Sequence, residues 1–240
     1  MIALDSATLA DTIDVFVRGW ARTRGDASNV VERHAGAWYV RLRTPSGAVH
    51  EEVLAPHGDA KGAVAFSRRR TLGPHWLTIF HGERDDLSGY VRQGYRLERA
   101  EALMTRDLDT SLPGPDDAVA VRRVSSHDER AWFDAWHRDS PVPPGVHEGT
   151  VVQYAVQDAD APAARARAAV AGDAVVVDSV LTLPSHRRRG LASALMRRLL
   201  TDAREGGYAR CVLAASADGE QLYASIGFDV VARMAVHVRV

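Results

Sequence analysis

The spacing of apolar residues near the start of the chain predicts an amphipathic helix. The residues of its apolar face are Leu9, Ile13, Phe16, Val17 and Trp20, which recur as the residues of one helix face do. Ser6 is a residue type that caps helix starts, and Gly25 can end the segment. We therefore predict a first helix between Ser6 and Gly25.

Strand-like and helix-like segments alternate along the rest of the chain. In the first half, the predicted strands are Trp38–Leu42, Val49–Leu54, His75–Phe80 and Tyr95–Met104, and the predicted short helices are Ala60–Arg70 and Gly89–Gly94. In the second half, the predicted strands are Ala118–Val124, Ala164–Ala171, Ala174–Leu183, Arg210–Ala215 and Val230–Val240. Ser126 and Glu129 form a capping box before a further helix, whereas Thr150–Val156 fits a strand or a helix. This order predicts a mixed α/β fold.

A basic segment between a predicted strand and a predicted helix is suited to bind an anion. It reads Arg187-Arg188-Arg189-Gly190-Leu191-Ala192 and opens a helix that runs to about Glu205. The first N–H groups of a helix lack partners within the helix and carry partial positive charge. Gly190 lets a ligand approach the backbone because it has no Cβ, and arginine side chains suit phosphate. We predict a diphosphate-binding turn, with a solvated basic turn as the alternative.

Two motifs in the second half resemble those of a known family. Arg187-x-x-Gly190-x-Ala192 matches Arg/Gln-x-x-Gly-x-Gly/Ala, the acyl-CoA pyrophosphate signature of the GNAT N-acetyltransferases. Leu222-Tyr223-x-x-Ile226-Gly227-Phe228 resembles their closing motif, Leu-Tyr-x-x-x-Gly-Phe. The resemblance covers about Ala118 to Val240, and Ser216 departs from it because the family often has Asn there. It implies a mostly antiparallel central sheet flanked by helices, which splays open at the strand that ends with Leu183.

The resemblance also implies a site for acetyl-CoA as co-substrate. Backbone groups of Leu181, Thr182 and Leu183 should pair with the pantetheine arm, and the N–H at or near Leu183 should polarise the thioester carbonyl. The residues expected to hold the diphosphate, mostly through backbone N–H groups, are Arg187, Arg188, Arg189, Gly190, Leu191, Ala192 and Ser193.

Tyr223 is the candidate general acid for this chemistry, with a core tyrosine whose hydroxyl lies at the surface as the alternative. The reference pKa of tyrosine, about 10, lies above that of a thiol, about 8.5, so its hydroxyl is protonated at neutral pH and can donate. The base is left open. Asp178 lies where this family often has a carboxylate, although a shift of one residue would turn it away. The other candidates are a water relay, His186, His137, His147 and Glu148. The residues Trp132, Phe133 and Trp136 are interpreted as core, with an acceptor-site wall as the alternative.

The two halves of the chain share a short repeat. Tyr90-x-x-x-Gly94-Tyr95 has the spacing of Tyr223-x-x-x-Gly227-Phe228, and the place that corresponds to Gly190 falls near His57–Gly58, where there is no arginine cluster. The N-terminal half is therefore predicted to be a degenerate GNAT-like unit without a phosphate loop, with chance similarity of the two segments as the alternative. Proline and glycine mark a linker at 111–117, which predicts domains at 1–110 and 118–240.

Composition and charge argue against several other classes. The 240 residues are 46% hydrophobic and 25% charged with a net charge of −1, so no global field favours nucleic acid. Cys211 is the single cysteine, which excludes an intramolecular disulfide and a multi-cysteine zinc site, and its apolar setting predicts a core residue. No metal is expected. The absence of an apolar run of about 20 residues and of a signal-peptide pattern predicts a cytoplasmic protein without membrane contact.

The expected activity is direct transfer of an acetyl group from acetyl-CoA to a primary amine. The expected acceptor is a small molecule or a peptide, and the expected state is a monomer or homodimer with no nucleic-acid partner. The alternative is a catalytically silent CoA-binding sensor or partner-binding module.

Overall fold

The computed structural model describes residues 4–24, 28–43, 47–58, 60–71, 73–111, 114, 118–124, 151–158 and 161–239. Its helices are α1 (Ser6–Arg24), α2 (Ala60–Arg70), α3 (Ser88–Arg92), α4 (Leu191–Glu205) and α5 (Ala217–Ser225). Its strands are β1 (Val30–His34), β2 (Ala37–Arg43), β3 (Val49–Pro56), β4 (His75–His81), β5 (Arg96–Asp107), β6 (Val121–Val124), β7 (Val151–Asp158), β8 (Ala161–Ala171), β9 (Ala174–Thr182), β10 (Arg210–Ala215) and β11 (Asp229–Arg239). A 3₁₀ turn at Pro184–His186 connects β9 to α4.

Most predicted elements are confirmed, and α4 has the predicted bounds. The segment left open at Thr150–Val156 is the strand β7, and β1 was not predicted. The predicted cap at Ser6 is wrong, because the Asp5 carboxylate accepts from the N–H groups of Ala7 at 2.9 Å and Thr8 at 3.0 Å. The helix predicted after Ser126 lies outside the described residues.

The described strands form one mixed sheet in the order β1-β2-β3-β4-β11-β5-β10-β9-β8-β7-β6. The pairs β3–β4 and β9–β10 are parallel, and the other neighbours are antiparallel. The predicted fold class, a mostly antiparallel sheet flanked by helices, is confirmed. The predicted domain boundary lies between β5 and β6, and it stays a prediction.

The two halves of the chain exchange one strand at the centre of this sheet. Strand β11 of the C-terminal half lies between β4 and β5, and β5 of the N-terminal half lies between β11 and β10. The β11–β5 ladder therefore joins the two halves, and each half depends on a strand of the other to continue its hydrogen-bonded sheet.

The turns that follow α3 and α5 carry the repeat seen in the sequence. The Tyr95 N–H donates to the Tyr90 carbonyl at 3.2 Å, and the Phe228 N–H donates to the Tyr223 carbonyl at 3.0 Å. The glycine before each of these donors has a left-handed φ, +88° in the first turn and +85° in the second. The two halves thus share the same backbone turn as well as the same residue spacing.

Helix α1 packs across both halves on one face of the sheet, and the other described helices lie on the opposite face. It contacts β2 of the N-terminal half together with β8 and β9 of the C-terminal half. Its predicted apolar residues Ile13, Phe16 and Trp20 are buried in this core, and the Phe16 and Phe80 rings meet edge to face at 6.3 Å. None of the described helices is long and apolar enough to cross a membrane.

Gly19 permits the close packing of α1 on β9. A Cβ atom at this position would lie 2.4 Å from the Cβ of Val176. We expect Gly19→Ala to lower the free energy of unfolding by about 1–3 kcal/mol in urea denaturation, since the added methyl overpacks this contact. Gly62→Ala in α2 is the control, because Gly62 is exposed and alanine favours a helix. Equal stability of the two variants would contradict the close-packing role.

Candidate active site

A cleft opens where β9 separates from β10. Their parallel pairing ends at Val177 and Leu213, although β9 continues to Thr182. A bulge in the β8–β9 ladder follows, and Ser179 within it has a φ of +57°. Bulges bend a strand and increase its twist, so β9 turns away from β10 at this point. The resulting cleft has a volume of about 1150 Å³, and it is the splay expected at this strand.

The described residues of the N-terminal half show no equivalent of this separation. Its parallel strands β3 and β4 stay paired to Pro56 and Phe80, and the His57 N–H then donates to the Phe80 carbonyl at 2.7 Å. Helix α2 begins at Ala60, whereas thirteen residues, 178–190, separate the end of β9–β10 pairing from α4. The N-terminal half thus lacks both the diverging strand and the long loop of the C-terminal half.

The start of α4 forms one end of the cleft. The first backbone hydrogen bond of the helix runs from the Ala194 N–H to the Gly190 carbonyl at 2.9 Å, so the preceding N–H groups, at Leu191, Ala192 and Ser193, have no partner within the helix. No side chain among the described residues caps this end. Gly190 has a φ of +76°, and a Cβ there would meet no atom within 4 Å. The helix start is therefore open to an anion.

The side chains of the three arginines before Gly190 have different surroundings. Arg187 and Arg188 line the cleft. Arg189 does not, because its guanidinium donates to the Asp158 carboxylate at 2.8 Å. The hydrogen bond and the charge of Arg189 lower the pKa of Asp158, and His186 lies 3.3 Å from the same carboxylate. The Arg189 side chain is thus engaged by Asp158, and its part in holding the diphosphate stays a prediction.

The hydrogen bonds of β9 correct the predicted role of Leu183. Its N–H donates to the Ala163 carbonyl at 3.0 Å, so it is not available to a thioester. The alternation of an antiparallel ladder also directs the backbone of Leu181 toward β8 and that of Thr182 toward the cleft. The Arg187 guanidinium, which lines the cleft, donates to the Thr182 carbonyl at 3.3 Å. The backbone of Thr182 therefore faces the cleft, and its pairing with a pantetheine arm stays a prediction.

Tyr223 lies in the cleft wall on α5. Its ring is buried and meets the Phe228 ring at 5.9 Å. Burial raises the pKa of its hydroxyl above the usual range, and the charge of Asp178 acts in the same direction. No described residue forms a hydrogen bond with this hydroxyl. Tyr223 is therefore a protonated donor at neutral pH, and its role as general acid stays a prediction.

Asp178 also lines the cleft, but its carboxylate is already engaged. Arg24 of α1 donates to both oxygens at 2.9 Å, Thr23 donates at 3.1 Å and Ser179 at 3.0 Å. Burial acts to raise the pKa of Asp178, but Arg24 and these hydroxyls together lower it. A carboxylate with a lowered pKa and four donor contacts is a weak general base. The geometry favours Asp178 as the group that fixes the bulge to α1.

This ion pair predicts a pH dependence of stability. Because the folded pKa of Asp178 is lowered, its stabilising contribution is present above the unfolded pKa of about 4 and is lost as pH falls through the folded pKa. We expect the free energy of unfolding in urea to decrease more for the wild type than for Asp178→Asn as pH is lowered from 7 to 3. The same decrease in both proteins would contradict an ionised Asp178 held by Arg24.

Sequence reasoning missed the contribution of the N-terminal half. Thr23 and Arg24, at the end of α1, donate to Asp178 in the cleft wall, and Glu101 of β5 lines the cleft itself. No local pattern signalled them, because their role depends on the packing of α1 on β9 and on the exchanged strand. Ser216, where the family often has Asn, caps α5 by accepting from the Gly219 N–H at 3.3 Å.

Of the other residues singled out in the sequence, Cys211 and His186 lie among the described residues. Cys211 is buried, and burial raises the pKa of its thiol, so it is a core residue as predicted. His186 lines the cleft beside Asp158. The other candidates, His137, His147, Glu148 and the aromatic residues at 132, 133 and 136, lie outside the described residues. Within the described part of the chain no cluster of three or more residues has the arrangement of a metal site.

Comparisons with known proteins agree with this geometry. The model of the Acetyltransferase (GNAT) family matches residues 110–228. A solved GCN5-related N-acetyltransferase from Kribbella flavida has a TM-score of 0.65 and 19% identity, over 100% of this chain and 96% of that chain. A second GCN5-related N-acetyltransferase, from Sphaerobacter thermophilus, has a TM-score of 0.59 and 20% identity, over 85% of this chain and 76% of that chain. A tandem GNAT protein from the clavulanic acid biosynthesis pathway has a TM-score of 0.55 and 13% identity, over 99% and 96%. No curated protein matches the chain. The tandem structure fits the internal repeat.

Proposed function

Residues 110–228 form a domain of the Acetyltransferase (GNAT) family, and from that premise we propose that the chain is an acetyl-CoA-dependent N-acetyltransferase acting on a primary amine. One observation carries the proposal. A cleft between separated parallel strands ends at an uncapped helix start and has Tyr223 in its wall. This arrangement offers a cradle for an anion and a proton donor within one cavity.

The proposed acetyl-CoA site uses the main chain for most of its contacts. The diphosphate would accept hydrogen bonds from the N–H groups between Arg188 and Ser193, as anions do at helix starts. Arg187 and Arg188 would add side-chain donors, since both line the cleft. The pantetheine arm would pair with the backbone of Thr182, because the neighbouring residues of β9 bond to β8. Arg189 would contribute only its backbone N–H, because its guanidinium donates to Asp158.

The proposed chemistry is a direct transfer without a covalent enzyme intermediate. The neutral amine nitrogen attacks the thioester carbon, and the new C–N bond forms while the electrons of the C=O bond move to oxygen. When the tetrahedral adduct collapses, the C–S bond breaks and the sulfur takes the proton of the Tyr223 hydroxyl. The nitrogen gives up a proton that restores Tyr223. The products are an N-substituted acetamide and free CoA.

Calorimetry and a thiol-release assay together test this proposal. We expect purified protein to bind CoA and acetyl-CoA in the calorimeter, and to release thiol from acetyl-CoA with at least one member of a panel of primary amines. Binding without release for every amine would favour the silent CoA-binding alternative. A flat titration at millimolar CoA would refute the proposed site altogether.

A further inference from the structure

The N-terminal half supplies a carboxylate to the cleft of the C-terminal half. Glu101 lies on β5, the strand that inserts between β10 and β11. Its neighbour Ala102 pairs with Ala215, the last residue of β10, so Glu101 lies beside Ser216 just where β10 ends. Both Glu101 and Ser216 line the cleft, as does Tyr223. Strand exchange therefore brings an acidic side chain to the place where the parallel strands have separated.

The carboxylate of Glu101 has more capacity to bind a ligand than that of Asp178. Its side chain is 22% exposed, against 12% for Asp178. Its contact with Arg99 is a single one, from Nε to Oε1 at the long distance of 3.3 Å. Its Oε2 has no hydrogen-bond partner among the described residues. Asp178, by contrast, is held from several sides by Arg24, Thr23 and Ser179.

Two arginines lie near Glu101, but neither forms a short, two-pronged ion pair with its carboxylate. Arg99 lies on the same strand, and Arg24 of α1 interacts electrostatically with both Glu101 and Asp178. The two hydrogen bonds of Arg24 go to Asp178, so its interaction with Glu101 is electrostatic alone. On the adjacent strand β11, the residue opposite Glu101 is the apolar Met234.

The third acidic side chain of the cleft is less suited to this role. Asp218 is exposed in the first turn of α5, where the helix dipole and solvent already stabilise its charge.

We infer that Glu101 binds the ammonium group of the acceptor and takes up its proton, so that the preferred acceptors are alkylamines, which are protonated at neutral pH. This inference rests on the proposed N-acetyltransferase function. The ammonium first donates a hydrogen bond to the carboxylate, which gains from the opposite charge. One N–H proton then passes to a Glu101 oxygen and leaves the nitrogen with a free electron pair for attack. Glu101 later releases this proton to water, which accounts for the single proton that the overall reaction of an ammonium acceptor liberates.

The test compares Glu101→Gln with a charge-matched control on the same strand. Glu98→Gln is the control, because Glu98 pairs with Arg96 at 2.7 Å and does not line the cleft. The probes are acetyl-CoA with a panel of alkylamines, an amino sugar, a lysine-containing peptide and an arylamine. The measurement is kcat/KM from thiol release across pH, with acetyl-CoA affinity measured by calorimetry.

We expect Glu101→Gln to lower kcat/KM for the preferred alkylamine by about 10- to 100-fold at pH 7, the loss of one charged hydrogen bond. The loss should shrink as pH approaches the pKa of the amine, because the amine then deprotonates without help. Glu101→Asp should restore part of the activity. Acetyl-CoA affinity should be unchanged, and Glu98→Gln should match the wild type at every pH.

Three results would overturn the inference. The first is a Glu101→Gln variant with the activity and pH profile of the wild type. The second is an equal loss at all pH values, which would indicate a structural role. The third is a wild-type preference for arylamines. A wild type that releases no thiol with any amine would instead refute the proposed function, and the inference with it.

Discussion

Replacing Tyr223 by phenylalanine is expected to lower kcat by about 100- to 1000-fold, the lower part of the usual contribution of a positioned general acid. Phenylalanine keeps the buried ring and its contact with Phe228, so the cleft should retain its shape. Only the hydroxyl is lost, and the departing thiolate then lacks its proposed proton donor. Thiol release should therefore fall, whereas calorimetry should show unchanged acetyl-CoA affinity.

The repeat supplies a matched control for this change. Tyr90 occupies the equivalent turn of the N-terminal half and is fully buried, but it does not line the cleft. Tyr90→Phe removes the same atom from the same backbone setting, so kcat should stay near that of the wild type. If Tyr223→Phe also retained its kcat, Tyr223 would have no role as general acid.

A second large effect is expected at Gly190. Alanine there would place a methyl group in the open space beside the start of α4, where the diphosphate would approach the N–H groups. Loss of one or two hydrogen bonds to a charged ligand should weaken acetyl-CoA binding by about 100-fold. Calorimetric titration of the purified variant measures this change.

Gly207, just beyond the other end of α4, separates ligand effects from backbone strain. Its φ of +79° is close to the +76° of Gly190, and a Cβ at either position meets no atom within 4 Å. Alanine should therefore cost both variants a similar strain of about 1–2 kcal/mol. The prediction is that Gly207→Ala binds acetyl-CoA like the wild type. Equal affinities in the two variants would count against the helix-start site.

The local parts of the fold and site could be predicted from sequence because local residues determine them. The apolar spacing of α4, the glycine turn before it and the alternation of β8 and β9 each depend on neighbours within a few positions. The repeat around Tyr90 and Tyr223 was visible for the same reason, since a turn of this kind needs a particular residue spacing. The absence of an arginine cluster near His57 could be read from the sequence in the same way.

The missed features depend on contacts between distant segments. Strand order in a sheet follows from long-range pairing, which periodicity does not encode, so the exchange of β5 and β11 was not predictable. Arg24 reaches Asp178 in the cleft wall only because α1 packs on β9, and Glu101 reaches the cleft only because β5 lies beside β10. The role of Leu183 was misjudged because it depends on one bond to Ala163. If the β8–β9 register shifted by one residue, the Leu183 N–H would face the cleft instead of β8.

The exchanged strands have a consequence for biosynthesis. During translation β4 and β5 leave the ribosome long before β11, which must later lie between them. Until then the nascent chain holds a gap at the middle of its future sheet, with unpaired backbone groups on both sides. Such groups invite pairing with other chains, and contacts of this sequence separation form slowly. We therefore expect the nascent chain to depend on chaperones until β11 has been synthesised and has paired with β4 and β5.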